Sequence, residues 1–551
     1  VLLTRAKMIA RLLQRLPRVV WTWVEPNLDA FVKARLPLIW TLSLLLGLGV
    51  AVAAIVFREL IGVFQLFWLG TRSERVFTAA LSLPWYWIMA GPTVGGLLVG
   101  LLLTRLEARR TGAVADVIEA RALSGRKLSL RQGLLSAFVT ALSLGSGASA
   151  GREGPVVHLG AVLATAIAWR ANLPEWCRRT LLGAGVAAAI SASFNAPIAG
   201  VLFAHEVILG HYAMRSFVPI VIASAAGAVV SRLWFGSAAA FLVPTHQITS
   251  FWEFPAFALL GITAAVVAIL FQFALFAAEY AARAIHIPLW TRPLAGGIVV
   301  GGIAVFFPQV LGVGYEITDM ALWNHLPLAI MLALIVVKTA ATAITLAMRF
   351  GGGIFSPALF LGALTGGAFG VIAASVFPTM SSSEGLYAIL GMGAVAGAVL
   401  GAPISTTVIV FELTGGYEIS IALLLTVAVA HGITQAIHGH SWFQWQLEMR
   451  GLFLVEGPHR ALGQVTRVMD FMEVLDEDAA PITYDPETGA PALKPTDTLE
   501  AALRAFDKGG HDRLPVVDPA DHSKVIAFAS HVRALRSFNK ALVELSEEEH
   551  R

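Results

Sequence analysis

One cysteine, Cys177, stands in 551 residues, which excludes an intrachain disulfide and a thiolate metal cluster. Charge is scarce as well: Asp, Glu, Lys and Arg make up 14% of the chain, against about 25% in soluble proteins, while apolar residues reach 57%. A mean hydropathy of +0.73 rules out the ordinary soluble class, and the chain reads as a polytopic membrane protein. Several apolar windows also lack the length of a full crossing. Segments 37–57, 255–278 and 327–347 are long enough, but 132–144, 156–169, 197–210 and 402–413 fall short of the ~20 residues a spanning helix needs. Short, glycine-broken pieces survive in lipid only as re-entrant or half-crossing helices, buried against protein or lining a cavity.

The few charges are placed unevenly. Arg5, Lys7, Arg11, Arg15, Arg18, Lys33 and Arg35 crowd the first 35 residues, and Arg109, Arg110, Arg121, Arg126 and Lys127 fall between Arg105 and Arg131. The positive-inside bias puts both segments on the cytoplasmic side. Residues 1–35, basic and studded with Leu, Val and Trp, read as an amphipathic interfacial helix rather than a cleaved signal. With a net charge of only +3, the membrane surface rather than nucleic acid accounts for these basic residues.

Residues 145–161, GSGASAGREGPVVHLGA, put Glu153 in a glycine-rich break between two apolar stretches. An ionisable group within the membrane costs roughly 2.5–3.5 kcal/mol on insertion scales, which makes it a candidate functional residue. The pattern then recurs. Pro155 to Ala161 and Pro357 to Ala363 share Pro-x-x-x-Leu-Gly-Ala, 357 − 155 = 202 residues apart, and Ala-Pro-Ile at 196–198 returns at 402–404, 206 residues on, each copy followed by a glutamate, Glu206 or Glu412. Two phrases at nearly one spacing argue for a duplicated unit. Repeat transporters place their substrate near the midplane, where broken helices aim their ends at the ion.

A helix amino-terminus presents unpaired N–H groups and about +0.5 charge, so two converging ends favour a small anion without a full cation that would trap it. Arg152, Glu153 and Gly154 would supply amides from the first unit, and Ile354 and Phe355 from the second. Glu153 then stands where the anion would stand. Ionised, its side chain competes for the seat; protonated, it withdraws, so it is a gate and a candidate proton carrier.

These residues resemble the CLC family of chloride channels and chloride/proton antiporters. Gly151-Arg152-Glu153-Gly154-Pro155 matches the family's gating-glutamate motif, and Gly352-Gly353-Ile354-Phe355-Ser356-Pro357 matches its second anion-binding loop. The match continues through Phe194-Asn195-Ala196-Pro197 and Gly401-Ala402-Pro403 and covers roughly 35–450. The resemblance implies an all-α polytopic fold of two halves with opposite membrane orientation, and a homodimer with one pore per subunit. It also implies transport of chloride or another small monovalent anion, without a cofactor, in the inner (plasma) membrane of a bacterial-type cell.

Three departures bear on mechanism. Gly112, in Thr111-Gly112-Ala113, stands where the family commonly has a serine hydroxyl for the central anion, and Phe443 takes the place of the usual tyrosine. Val207 replaces the inner proton-accepting glutamate of typical antiporters. Passive, channel-like conduction is therefore the favoured expectation and chloride/proton antiport the alternative. A third reading, an intramembrane metalloprotease built on His205, Glu206 and His211, is disfavoured. A spacing of six puts the two histidines about 240° apart around a helix, and Glu206 and Glu412 read as structural acceptors.

The expected organisation is an interfacial segment (1–35), a first membrane repeat (36–215), a second (216–450) and a cytoplasmic tail (451–551), with both termini cytoplasmic. Within the tail, Asp497 is expected to cap a helix over 499–508 with Glu500 reaching back. Two buried strands near 514–518 and 524–528 and a helix near 531–538 follow. This pattern resembles a single small α/β CBS domain, about 465–540. Arg533 stands near the position where many such modules carry an acid for an adenine nucleotide, so the tail reads as a dimerisation module rather than a nucleotide site.

Overall fold

The structure is a computed structural model, which describes residues 21–29, 31–123, 127–236, 248–414, 419–452, 466–475, 484, 491–519, 521 and 523–550. Residues 1–20 of the expected interfacial helix lie outside these; residues 21–29 are helical and exposed.

The membrane part is helical throughout. In the first half run α1 (Leu36–Leu69), α2 (Val76–Leu81), α3 (Trp85–Leu103), α4 (Val114–Ala122), α5 (Leu130–Gly145), α6 (Glu153–Arg170), α7 (Glu175–Phe194), α8 (Pro197–Phe203) and α9 (Met214–Phe235). In the second run α10 (Phe254–Ala284), α11 (Thr291–Phe306), α12 (Tyr315–Leu322), α13 (Leu328–Ala347), α14 (Phe355–Val376), α15 (Glu384–Leu400), α16 (Pro403–Thr414), α17 (Ser420–His438) and the short α18 (Trp442–Glu448). Among the described residues seven helices are long and apolar enough to span a bilayer; α11, α15 and α16 are apolar but shorter.

The duplication is structural. α14 starts 355 − 153 = 202 residues after α6, and α16 starts 403 − 197 = 206 after α8. α6 and α7 cross at Gly160 and Gly185, so closely that a Cβ on either would lie 2.4–2.5 Å from the other's carbonyl oxygen. α14 and α15 cross in the same way at Gly362 and Gly391, with 2.4 Å in both directions. Only glycine permits this backbone approach, which is how helices associate tightly where lipid is as apolar as leucine.

The two units face each other across a local twofold. Glu206 lies where α8 widens into a π turn (Ala204–Leu209), and its carboxylate accepts from the Ile404 and Ser405 amides at 3.0 and 2.7 Å. Glu412 accepts from Ile198 and Ala199 at 3.0 and 2.7 Å. Each carboxylate thus satisfies the orphan donors at the start of the other unit's helix, as expected of structural acceptors. This reciprocity is what an inverted repeat requires.

The tail has its own apolar core, including Leu499, Phe506, Leu514, Val516 and Ala527. A three-stranded antiparallel sheet, ordered β1 (Glu473–Val474), β3 (Val525–Ser530), β2 (Arg513–Val517), packs with α19 (Leu499–Gly509) and α20 (His531–His550). One detail differs from expectation: the hydroxyl of Thr498 caps α19, accepting from Ala501 at 3.1 Å. Asp497 instead accepts from the Lys494 amide at 2.7 Å, and Glu500 pairs with Arg504 rather than reaching back. The β-region backbone of Thr498, φ −77° and ψ 155°, is what an N-cap needs, and Asp497 precedes it by one residue.

Candidate functional site

The two glycine-rich breaks meet. Gly151 and Gly353 exchange backbone hydrogen bonds in both directions, each 2.7 Å, so the two loops form a miniature antiparallel ladder from which α6 and α14 diverge. The loops are anchored from outside: Trp68 Nε1 donates to the Gly145 carbonyl at 2.7 Å, and Ser143 Oγ donates to Gly351 at 2.7 Å. Gly352 has φ 158°, at the edge of the left-handed region, and a Cβ there would lie 2.3 Å from the Ala150 Cβ. Proline is third in both helices, Pro155 and Pro357. With those donors absent, helix geometry leaves the amides of Glu153 and Gly154, and of Phe355 and Ser356, without helical acceptors.

Glu153 is fully buried and its carboxylate sits at the opening of α14. Tyr315 donates its hydroxyl to Oε1 at 2.5 Å, and Ser356 donates its hydroxyl to Oε2 at 2.5 Å. A Cβ on Gly151 would fall 2.9 Å from Oε2 and 3.0 Å from the Ser356 amide nitrogen, so glycine at 151 makes room for the acid. The negative group occupies the place where the helix end favours negative charge.

On one side of Glu153 lies a cavity of about 40 Å³, lined by Ala113, Val114, Gly154, Val157, Phe203, Leu346, Gly352 to Phe355, Trp442, Phe443 and Gln446. One water needs roughly 10–15 Å³ on the same scale, so there is room for a small ion and little else. Its walls are mostly apolar side chains and main chain, with Gln446 as the polar side chain and without a carboxylate among the described residues. Of the expected anion-site residues, Gly154, Ile354, Phe355 and Phe443 meet here. Arg152 is not on that wall: its guanidinium lies on the far side of Glu153, with Nε 3.8 Å from Oε1, pairs with Glu74 and lies 4.8 Å over the Tyr315 ring.

Gly112 also lies elsewhere. It lines a neighbouring cavity of about 190 Å³ with Asp116, Ser136 and His158, its amide donates to Ser136 Oγ at 2.7 Å, and a Cβ would strike the His158 ring at 2.2 Å. The space a serine side chain would need is filled by that ring. Ala113 and Val114 line the 40 Å³ cavity in its stead. Asp116 ties this loop together, accepting from the Ala113 amide at 2.7 Å and from Arg110 and Arg450. Burial works against its charge, but those guanidinium partners hold the carboxyl well below the usual range. Val207 is half-buried against the core.

Beyond Glu153 opens a vestibule of about 250 Å³ containing Arg58, Arg72, Glu74, Arg152 and Tyr315, in which Glu74 bridges Arg152 and Arg58, the latter at 2.8 Å. A second vestibule, about 400 Å³, lies at the opposite end and shares Ala113, Leu346, Gly352, Trp442 and Gln446 with the small cavity. Glu153 lies between the first vestibule and the small cavity in the sense that its partner Tyr315 lines the one and its neighbour Gly154 the other. Sequence reasoning missed Tyr315, Ser356, Glu74 and Arg58; only Ser356, inside a motif, carried a local signal. His205 and His211 rings are 6.5 Å apart, and Glu206, held by two amides, is engaged elsewhere.

The sequence matches the voltage-gated chloride channel family over residues 95–435. A putative chloride channel protein, ClcB-like, from Ralstonia nicotianae is 33% identical over 389 residues, covering 69% of this chain and 90% of that protein. Among solved structures, a slow cyanobacterial Cl−/H+ antiporter superposes with a TM-score of 0.66 at 22% identity, over 75% of this chain and 97% of that one. A eukaryotic CLC transporter superposes with a TM-score of 0.64 at 20% identity, over 92% of this chain and 89% of that one.

Proposed function

The chain belongs to the voltage-gated chloride channel family, and we propose that it carries chloride or a similar small monovalent anion through one pore per subunit of a homodimer, with Glu153 as the gate. The observation that carries this reading is the Glu153 carboxylate seated at the start of α14, between two vestibules and held by two hydroxyls. An anion in the small cavity meets helix-end amides in a low-dielectric setting, strong enough to replace part of its hydration, and no lysine or arginine lines that cavity to hold it too long. When the carboxylate is ionised it fills that seat. Protonation removes the charge that binds it there and frees the seat.

In this reading the 400 Å³ vestibule and the tail face the cytoplasm and the protein sits in a bacterial-type inner membrane, which the positive-inside bias of residues 105–131 supports. Conduction without stoichiometric proton movement is the favoured mode, supported by Val207 and by the absence of a carboxylate on the small cavity among the described residues. Antiport is the second reading, supported by the fully buried Glu153 carboxylate as a candidate proton carrier. The tail is CBS-like and structural: Arg533, at the position considered for a nucleotide acid, is paired with Glu473 at 2.7 Å.

Purified protein in liposomes with an imposed chloride gradient tests this. Anion flux without proton movement supports the first mode, proton uptake against a gradient supports the second, and no anion flux refutes both. Glu153→Ala should keep flux and abolish its dependence on pH; unchanged pH dependence would remove Glu153 from the gate.

A further inference from the structure

The vestibule of about 400 Å³ is more basic than transport of a monovalent anion requires. Arg109, Arg110, Arg283, Arg292, Arg349 and Arg450 line it, opposed on its wall by Glu279 alone among the described residues. Glu279 is shared by Arg283 and Arg349, at 3.4 and 3.1 Å, and Asp116 behind the wall pairs with Arg110 and Arg450. Arg292 donates to the Ile285 carbonyl, and neither it nor Arg109 has a carboxylate partner among the described residues. Burial, and then the repulsion of Arg292, Arg110 and Arg283, lowers Arg349 from its ordinary value in spite of Glu279.

Two of these arginines sit in the left-handed backbone region, Arg109 at φ 51° and Arg349 at φ 67°, where glycine and asparagine are the usual occupants. Strained backbone of this kind persists where the surroundings enforce it, and it gathers at ligand clamps. Here both strained residues line the same cavity. Guanidinium forks match phosphoryl oxygens in pairs, a geometry that a spherical halide does not use.

We propose that this vestibule is a binding site for a soluble anion bearing two or more phosphoryl charges, of the diphosphate type, which blocks the pore when bound. The block follows from position: the vestibule shares five wall residues with the 40 Å³ constriction, so an occupant of the arginine ring covers its mouth. The proposal rests on the anion-transport reading for its effect on flux, but binding itself does not.

The test uses inorganic pyrophosphate, which lacks a base and so leaves a nucleotide site in the tail out of account. Full-length protein in phosphatidylcholine vesicles, with pyrophosphate on both faces, should lose at least half its chloride flux at about 1 mM, an affinity that a few charge-assisted hydrogen bonds supply. Monovalent salt at matched ionic strength should leave most of the flux. In detergent, pyrophosphate should raise the thermal unfolding midpoint. Arg109→Gln and Arg292→Gln should each weaken inhibition by about tenfold. Equal effects of pyrophosphate and monovalent salt, with no thermal shift, would overturn the site, as would full sensitivity in both variants. Inhibition seen only in phosphatidylglycerol vesicles without pyrophosphate would assign the ring to lipid headgroups and overturn a soluble occupant. Stabilisation by pyrophosphate in a protein that moves no chloride would keep the site and sink the transport reading.

Discussion

Tyr315→Phe removes one oxygen from the gate and nothing else. In the structure that hydroxyl donates to Glu153 Oε1 at 2.5 Å in a fully buried setting, beside the Ser356 hydroxyl on Oε2. A hydrogen bond to a charged group contributes about 1.5–3 kcal/mol, and about 1.4 kcal/mol is tenfold in an equilibrium. Both hydroxyls donate to the carboxylate and hold it at the start of α14. Without the Tyr315 donor the side chain is held less firmly, and chloride flux at pH 8 should rise by about tenfold or more. The assay is chloride efflux from liposomes at pH 8, repeated in a Glu153→Ala background. There Tyr315→Phe should change nothing, because the hydroxyl acts only through the carboxylate. Unchanged flux in the single variant, or an equal effect with and without Glu153, would refute this account of the latch.

Three further outcomes follow from the same contacts. Glu206→Gln and Glu412→Gln replace an acceptor of two amides with a group that offers one oxygen and an opposing NH2, and each should cost about 1–2 kcal/mol; an unchanged unfolding midpoint in detergent would count against the reciprocal caps. Gly112→Ser places a Cβ 2.2 Å from the His158 ring and should destabilise by about 1–3 kcal/mol without raising chloride affinity in calorimetric titration, and a gain in affinity would place residue 112 on the pore after all. Lys338, fully buried, donates to the carbonyls of Val310 and Gly312 at 3.0 Å each and so braces the turn leading to Tyr315. Lys338→Met should raise chloride flux at pH 8 in the same direction as Tyr315→Phe, and unchanged flux would separate the brace from Glu153.

Much of this was legible in the residues because the signals were local. Glu153 among glycines, the prolines that open α6 and α14, and the Ala-Pro-Ile phrases each lie within a few positions of the chemistry they serve. Gly112 shows where such reading stops: it registers as a missing hydroxyl, whereas the Cβ direction at that position points into the His158 ring, a fact of packing. Asp497 misled for a smaller reason, since two adjacent residues can both cap and only backbone angles choose Thr498.

Composition, repeat spacing and helix-end chemistry by themselves determined a duplicated membrane protein with an acid in a glycine-rich helix start, because apolar length, glycine and proline act on the chain within a turn or two. Tertiary structure alone decided what holds that acid. Tyr315 and Ser356 lie 162 and 203 residues from Glu153, and the arginines of the 400 Å³ vestibule come from positions 109 to 450. Contacts at such separations leave no periodicity to read; they exist only once the two inverted halves have packed and brought their helix ends together.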